Sequence, residues 1–213
     1  MLFDLDGTLL DSEILWESAQ ARTMEYFGQT WTAEDQAHSL GGPLERVVAH
    51  MASRTGADPG HVARVLVTEI EHKASILPAH WMPGARDLLA QAQAAGVRTA
   101  IVSNSWRVLL DLLMANLDFP VDVTVSSTEV QRPKPDPQPY LQACSLLGVE
   151  PTRAVVIEDS STGAAAGLAA GCRVVGVGPG LRAFRAEQFK YFESLVQVDL
   201  ASLGGDGFQD LQA

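Results

Sequence analysis

At 213 residues, with 46% hydrophobic and 19% charged residues, the chain is long enough for one full core plus a smaller inserted unit, and its composition argues against disorder. Its 15 basic and 26 acidic residues give a formal net charge of −11, a field that repels nucleic acid and anionic membrane surfaces, so neither is expected as a partner. No stretch approaches the ~20 apolar residues of a membrane span and no charged-then-apolar leader precedes the first motif, so a cytoplasmic protein is expected.

The chain opens on a very short apolar run, Met1 to Phe3, and the natural chain is expected to begin a few residues earlier. The run ends in Asp4 and Asp6, carboxylates one residue apart, like charges that strain against each other unless positive charge is supplied nearby. From Ile14 to Pro78 the pattern is helical throughout: "ILWESAQARTMEYFG", then "PLERVVAHMASRTG", then "HVARVLVTEIEHKASIL" behind the start signal Asp58 and Pro59. An all-helical stretch directly after a first strand predicts a cap domain, residues 14–78, inserted into a core built from residues 1–13 and 79–213.

Beyond the insertion, β-branched runs alternate with alanine- and leucine-rich helices. Val97 to Val102 precedes "WRVLLDLLMANL"; Val121 to Val125 precedes, across "RPKPDPQP", the helical "YLQACSLLGV". Ala154 to Ile157 leads into "STGAAAGLAAG", and Arg173 to Val177 is a further strand. Such alternation predicts right-handed βαβ units in an α/β fold, a doubly wound, Rossmann-like parallel sheet with helices on both faces. Gly96, Gly148 and Gly171 fall where helices should stop. Cys144 and Cys172 read as small buried thiols, the histidines between His38 and His80 as packing or surface residues, and "GGDGFQDLQA" as a fraying tail.

Four strand endings carry polar side chains: Asp4 and Asp6 after the first, Ser103 and Asn104 after the second, Lys134 in the loop after the third, Glu158 and Asp159 at the fourth. In an open parallel sheet such residues converge outside the carboxyl ends of the strands. Carboxylates without thiol or imidazole make a hard-oxygen site suited to Mg2+, which together with Lys134 supplies the missing positive charge. With the Ser103 hydroxyl and the turn N–H groups of Gly7 and Thr8, this set is suited to a phosphoryl group. Asp4 can then act as nucleophile, and Asp6 can protonate the leaving alkoxide and later take a proton from water. Each motif alone has a plainer explanation: a turn for "DGT", helix caps for Ser103–Asn104 and Glu158–Asp159, a solvated charge for Lys134. Their order along the chain is what gives them specificity.

In that order the motifs resemble the haloacid dehalogenase-like superfamily of aspartate-nucleophile phosphohydrolases: "DLDGTLLDSE", "IVSNS", "RPKPDPQPY" and "VVIEDSSTGAAAGLAAG", with a helical cap between the first two as in the phosphoglucomutase-like subgroup. The resemblance implies that Asp4 is nucleophile and metal ligand, and that Asp6 is the acid/base whose backbone carbonyl also binds Mg2+. It further implies that Ser103 and Asn104 contact phosphoryl oxygens, that Lys134 steadies phosphate and nucleophile, and that Asp159, with Glu158 beside it, completes the metal site. Dehalogenases of the superfamily lack the second aspartate, which this chain has as Asp6.

Mutases of the subgroup clamp a second phosphate with a histidine on the first cap helix and a lysine and an arginine near the "GG" turn; here Trp16, Gly41 and Glu45 stand at those places. That favours hydrolysis of a small phosphorylated metabolite, a sugar or polyol phosphate, over a mutase, with a non-catalytic phosphate-binding regulator as the alternative from another class. "DSEILWESA" resembles the corresponding helix of sugar-phosphate phosphatases, and Glu13, Trp16 and Arg46 are the candidates for reading the leaving group. Either a monomer or a homodimer is compatible with the sequence.

Overall fold

Short apolar segments that can be buried on both faces become strands, and the helical segments between them cover those faces. The structure is a computed structural model that describes residues 1–39, 44–78, 80–117 and 119–203; Gly41 and the tail from residue 204 lie outside the described residues. In chain order, β1 (Leu2–Phe3) is followed by the helices α1 (Glu13–Tyr26), α2 (Ala33–Ser39), α3 (Leu44–Thr55), α4 (Pro59–Ile76) and α5 (Ala85–Ala94). Then come β2 (Ala100–Val102), α6 (Arg107–Leu117), β3 (Val123–Val125), α7 (Gln138–Leu147) and β4 (Val155–Glu158), and after them α8 (Ser161–Ala169), β5 (Arg173–Val177), β6 (Phe189–Phe192) and α9 (Leu200–Leu203).

The strands among the described residues form one six-stranded sheet in the order β3-β2-β1-β4-β5-β6, and every pairing is parallel. β1 is only two residues long but lies in the middle of the sheet, with Leu2 opposite Ala100 and Val156 and Phe3 opposite Ile101 and Ile157. All six of these side chains are fully buried. The chain leaves β1 toward β2 and β3 on one side and returns to β4, β5 and β6 on the other. The strand order therefore reverses at β1 and β4, and the crevice for a ligand opens at their carboxyl ends. Gly96, Gly148 and Gly171 take the positive φ of helix stops, 68°, 64° and 81°. β6 and α2 are elements that the periodicity did not single out.

The chain divides into two compact units, Met1–Asp11 with Ala79–Ala213, and Ser12–Pro78. Ser12 is the N-cap of α1, so it goes with its helix. In the helical unit, α4 buries Val62, Leu66, Ile70 and Ala74, one residue per turn, on a single stripe. Asp58 caps this helix by accepting from the His61 N–H at 2.9 Å. α2 has little apolar pattern and is held by polar groups. The buried Asp35 accepts from the Thr32 N–H (2.9 Å) and hydroxyl (2.8 Å), bonds to His50 Nε2 (2.7 Å) and pairs with Arg54 on α3.

Candidate active site

β1 delivers Asp4 to the sheet's carboxyl edge, where its N–H donates to the Ile157 carbonyl on β4 at 3.0 Å. The residue is 8% exposed. Lys134, arriving from the loop before α7 and 6% exposed, donates to Asp4 Oδ1 and to Glu158 Oε1, both at 2.7 Å. Glu158 is fully buried and saturated: Oε1 also accepts the Tyr140 hydroxyl at 2.9 Å, and Oε2 accepts the Ser160 N–H (3.1 Å) and hydroxyl (2.8 Å). At Gly163, a Cβ would lie 1.5 Å from Glu158 Oε1, so a glycine in the first turn of α8 is what admits that carboxylate.

Asp159 sits over the β1 turn. Thr8 Oγ1 donates to its Oδ1 at 3.1 Å, and Gly7, at φ 81°, would place a Cβ 2.4 Å from its Oδ2. Gly7 thus serves twice, turning the chain through a left-handed conformation and making room for a carboxylate. The amides expected to face a phosphoryl group are engaged within this turn: the Gly7 N–H donates to Leu10 O (2.8 Å) and that of Thr8 to Leu5 O (3.3 Å).

The segment after β2 supplies the remaining groups. Ser103 Oγ and Ser105 Oγ both donate to Asp6 Oδ2, at 3.2 and 3.0 Å, whereas Asp6 Oδ1 is buried with no hydrogen-bond partner among the described residues. The Asn104 side chain forms a reciprocal pair with the Lys134 backbone, donating to its carbonyl (3.2 Å) and accepting from its N–H (3.1 Å). Asn104 therefore fixes the loop that carries the lysine. Ser105, Tyr140 and Ser160 lie inside the motifs "IVSNS", "RPKPDPQPY" and "VVIEDSSTGAAAGLAAG", but sequence alone assigns them no role of their own.

Asp4, Asp6, Ser103, Asn104, Lys134, Glu158 and Asp159 thus come together in one unit, with Gly7 and Thr8 between them. Glu13 and Trp16 lie in the first turns of α1 and Arg46 on α3, in the helical unit, where Arg46 donates to the Ser39 carbonyl at 3.5 Å. Glu45 lies in the first turn of α3.

The electrostatics follow from one ammonium shared among several carboxylates. Burial and the nearby Glu158 push the Asp4 carboxyl well above its usual range, and Lys134 offsets only part of this. Burial and Glu158 likewise push Asp159 up to about 6. Burial would lower Lys134, but Asp4 and Glu158 outweigh it and hold the amine protonated. Burial and Glu158 raise Tyr140, which stays a hydroxyl donor. Asp4, Glu158 and Asp159 each offer an oxygen within 4.8 Å of the others'. An all-oxygen set in which burial and the neighbouring Glu158 push the Asp4 and Asp159 carboxyls up fits a hard divalent cation.

The model of the haloacid dehalogenase-like hydrolases matches residues 1–177. The chain is 35% identical over 182 residues to validoxylamine A 7'-phosphate phosphatase of Streptomyces hygroscopicus subsp. limoneus, spanning 83% of this chain and 84% of that protein. It is 32% identical over 189 residues to hexitol phosphatase A of Escherichia coli, spanning 83% and 81%. Among solved structures it is similar to CbbY from Rhodobacter sphaeroides in complex with xylulose-(1,5)bisphosphate, with a TM-score of 0.78 and 26% identity over 96% of this chain and 98% of that one.

Proposed function

Since the chain belongs to the haloacid dehalogenase-like hydrolase family, we propose that it hydrolyses a small sugar or polyol phosphate monoester through an aspartyl-phosphate on Asp4. The observation that carries this reading is the buried Asp4 at the end of the central strand, bonded to Lys134 and crowded by Glu158 and Asp159. The phosphatases among its relatives support the substrate class. Hydrolysis rather than phosphosugar mutation is also supported by Trp16, Gly41 and Glu45 at the places where mutases clamp a second phosphate.

We assign Mg2+ to Asp4, Asp159 and the Asp6 backbone carbonyl, with Glu158 beside them; its own oxygens are occupied by Lys134, Tyr140 and Ser160. When bound, the cation supplies charge neutralisation for the phosphoryl oxygens and the nucleophile. The chain's own residues do the rest. Lys134 holds Asp4 and screens its charge from the incoming phosphate, and the Ser103 hydroxyl turns to a phosphoryl oxygen. As an Asp4 oxygen bonds to phosphorus, the bond from phosphorus to the leaving oxygen breaks, and that oxygen keeps the electron pair and takes a proton from Asp6. In the second half, a water oxygen bonds to phosphorus, its proton goes to Asp6, and the Asp4 carboxylate is released with inorganic phosphate.

Specificity for the leaving group falls to the helical unit, with Glu13, Trp16 and Arg46 as its candidates. Among the described residues no helix is long and apolar enough to cross a membrane; with its acidic charge and free buried cysteines we place the protein in the cytoplasm. The test is phosphate release from p-nitrophenyl phosphate and from a panel of hexitol and sugar phosphates. Turnover with Mg2+ that stops on chelation is expected; no release from any member of the panel would refute the proposal.

A further inference from the structure

Asp6 is held by one oxygen only. Oδ2 accepts both the Ser103 and the Ser105 hydroxyl, whereas Oδ1 is buried and has no hydrogen-bond partner among the described residues. Two donors on one oxygen fix the plane of the carboxyl and leave the other as the open position for a proton. The two serines are not equivalent. Ser103 has a single hydroxyl proton, and in the reaction that proton is needed by a phosphoryl oxygen, so its bond to Asp6 is lost when substrate arrives.

Ser105 is assigned no contact to a phosphoryl oxygen, and three hydrogen bonds anchor its backbone. Its N–H donates to Ser103 Oγ at 2.9 Å, and its carbonyl accepts the Ser127 N–H at 3.1 Å and the Ser127 hydroxyl at 3.3 Å. It is 8% exposed, so water has little access to replace its hydroxyl.

We propose that Ser105 is the positioning residue for Asp6, holding Oδ2 through the catalytic cycle so that Oδ1 faces the leaving oxygen and, later, the attacking water. The assignment rests on the phosphatase reading with Asp6 as acid/base. As the bond between phosphorus and the leaving oxygen breaks, its electron pair stays on that oxygen and the Asp6 Oδ1 proton moves to it, leaving a carboxylate still held by Ser105. The donation from Ser105 to that carboxylate is a charge-assisted bond, and its loss is felt where proton donation is needed.

The experiment compares kcat/KM on two substrates with the same phosphoryl group. The phenolate of p-nitrophenyl phosphate departs without a proton, whereas a hexitol phosphate must expel an alkoxide; kcat/KM reports the step in which that group leaves. Ser105→Ala is expected to lower kcat/KM on the hexitol phosphate by about 10- to 100-fold and on the aryl phosphate several-fold less. Ser105→Thr, which keeps the hydroxyl, should recover most of the loss, and Asp6→Asn should show the same leaving-group dependence more steeply. Equal losses on both substrates in Ser105→Ala, or no recovery in a Ser105→Thr protein that still cleaves the aryl phosphate, would overturn the assignment. If Asp6→Asn itself loses equally on both, the acid/base reading fails; if it is selective and Ser105→Ala is not, that reading stands and the role of Ser105 falls.

Discussion

Two buried carboxylates, one in each unit, meet cations in opposite ways. Asp35, in the helical unit, is surrounded by enough donors to fill its acceptor sites. Burial alone would raise its carboxyl, but bonds from Arg54, Thr32 and His50 outweigh that and hold it well below the usual carboxylate range. Asp4, at the sheet edge, shares one ammonium with Glu158 beside two further carboxylates, and its carboxyl is pushed up. The first arrangement is a completed structural clasp that joins α2 to α3. The second is short of positive charge, and what it lacks is what a bound cation would bring.

The sharpest way to break the comparison is to neutralise each carboxylate in turn. Asp4→Asn should lower turnover of any phosphate monoester by about 10⁴-fold or more, the scale on which loss of a nucleophile is felt. It should not lower the melting temperature, because the fold already disfavours the charged form there. Steady-state assay and calorimetry of one protein preparation check both halves, and near-normal turnover would remove Asp4 as nucleophile.

Asp35→Ala should do the reverse. Removing a buried, multiply bonded carboxylate costs about 3 kcal/mol, or a fall of about 6–12 °C in melting temperature, while turnover at low temperature persists. The sign with pH is defined: a carboxyl depressed in the folded state contributes fully above its unfolded value, ~3.9, and that contribution fades as pH falls below it. The difference between wild type and Asp35→Ala should therefore shrink on acidification below about pH 4. A difference that grows there would mean Asp35 is not held by its donors.

Filling the charge deficit is the gentlest intervention. Mg2+ at about 100 times its dissociation constant should raise the melting temperature by about 5–11 °C. The gain should be larger near pH 8 than near pH 5, because Asp159, pushed up to about 6, binds a proton in competition with the cation at the lower pH. Asp159→Asn should remove most of the gain. An equal gain at both pH values would place the stabilising cation elsewhere.

Much of this contrast was legible in the sequence on one side and hidden on the other. The candidate site at the carboxyl ends of the strands was legible because parallel strands end on one side, and because four polar strand endings stand in a specific order although each alone has a plainer explanation. Ser105, Tyr140 and Ser160 stand inside the motifs without a legible role, because a serine or tyrosine there is an ordinary residue until its hydroxyl finds Asp6 or Glu158. The turn amides of Gly7 and Thr8 showed the opposite: the turn was read correctly, but its N–H groups close on Leu10 and Leu5. β6, "FKYF", has no helix pattern after it to mark a βα unit, and α2 has charges where a helix normally shows its apolar stripe.

Local sequence by itself determined where most strands and most helices form, because apolar periodicity, glycine stops and helix caps act within a few residues. It also determined which residue types stand at the strand ends. The order β3-β2-β1-β4-β5-β6, the sharing of Lys134 between Asp4 and Glu158, and the loading of Asp6 through one oxygen were decided only by tertiary structure. Those depend on distances between groups far apart in the chain, 130 positions in the case of Lys134 and Asp4, and burial and Coulomb interaction act through space rather than along the backbone.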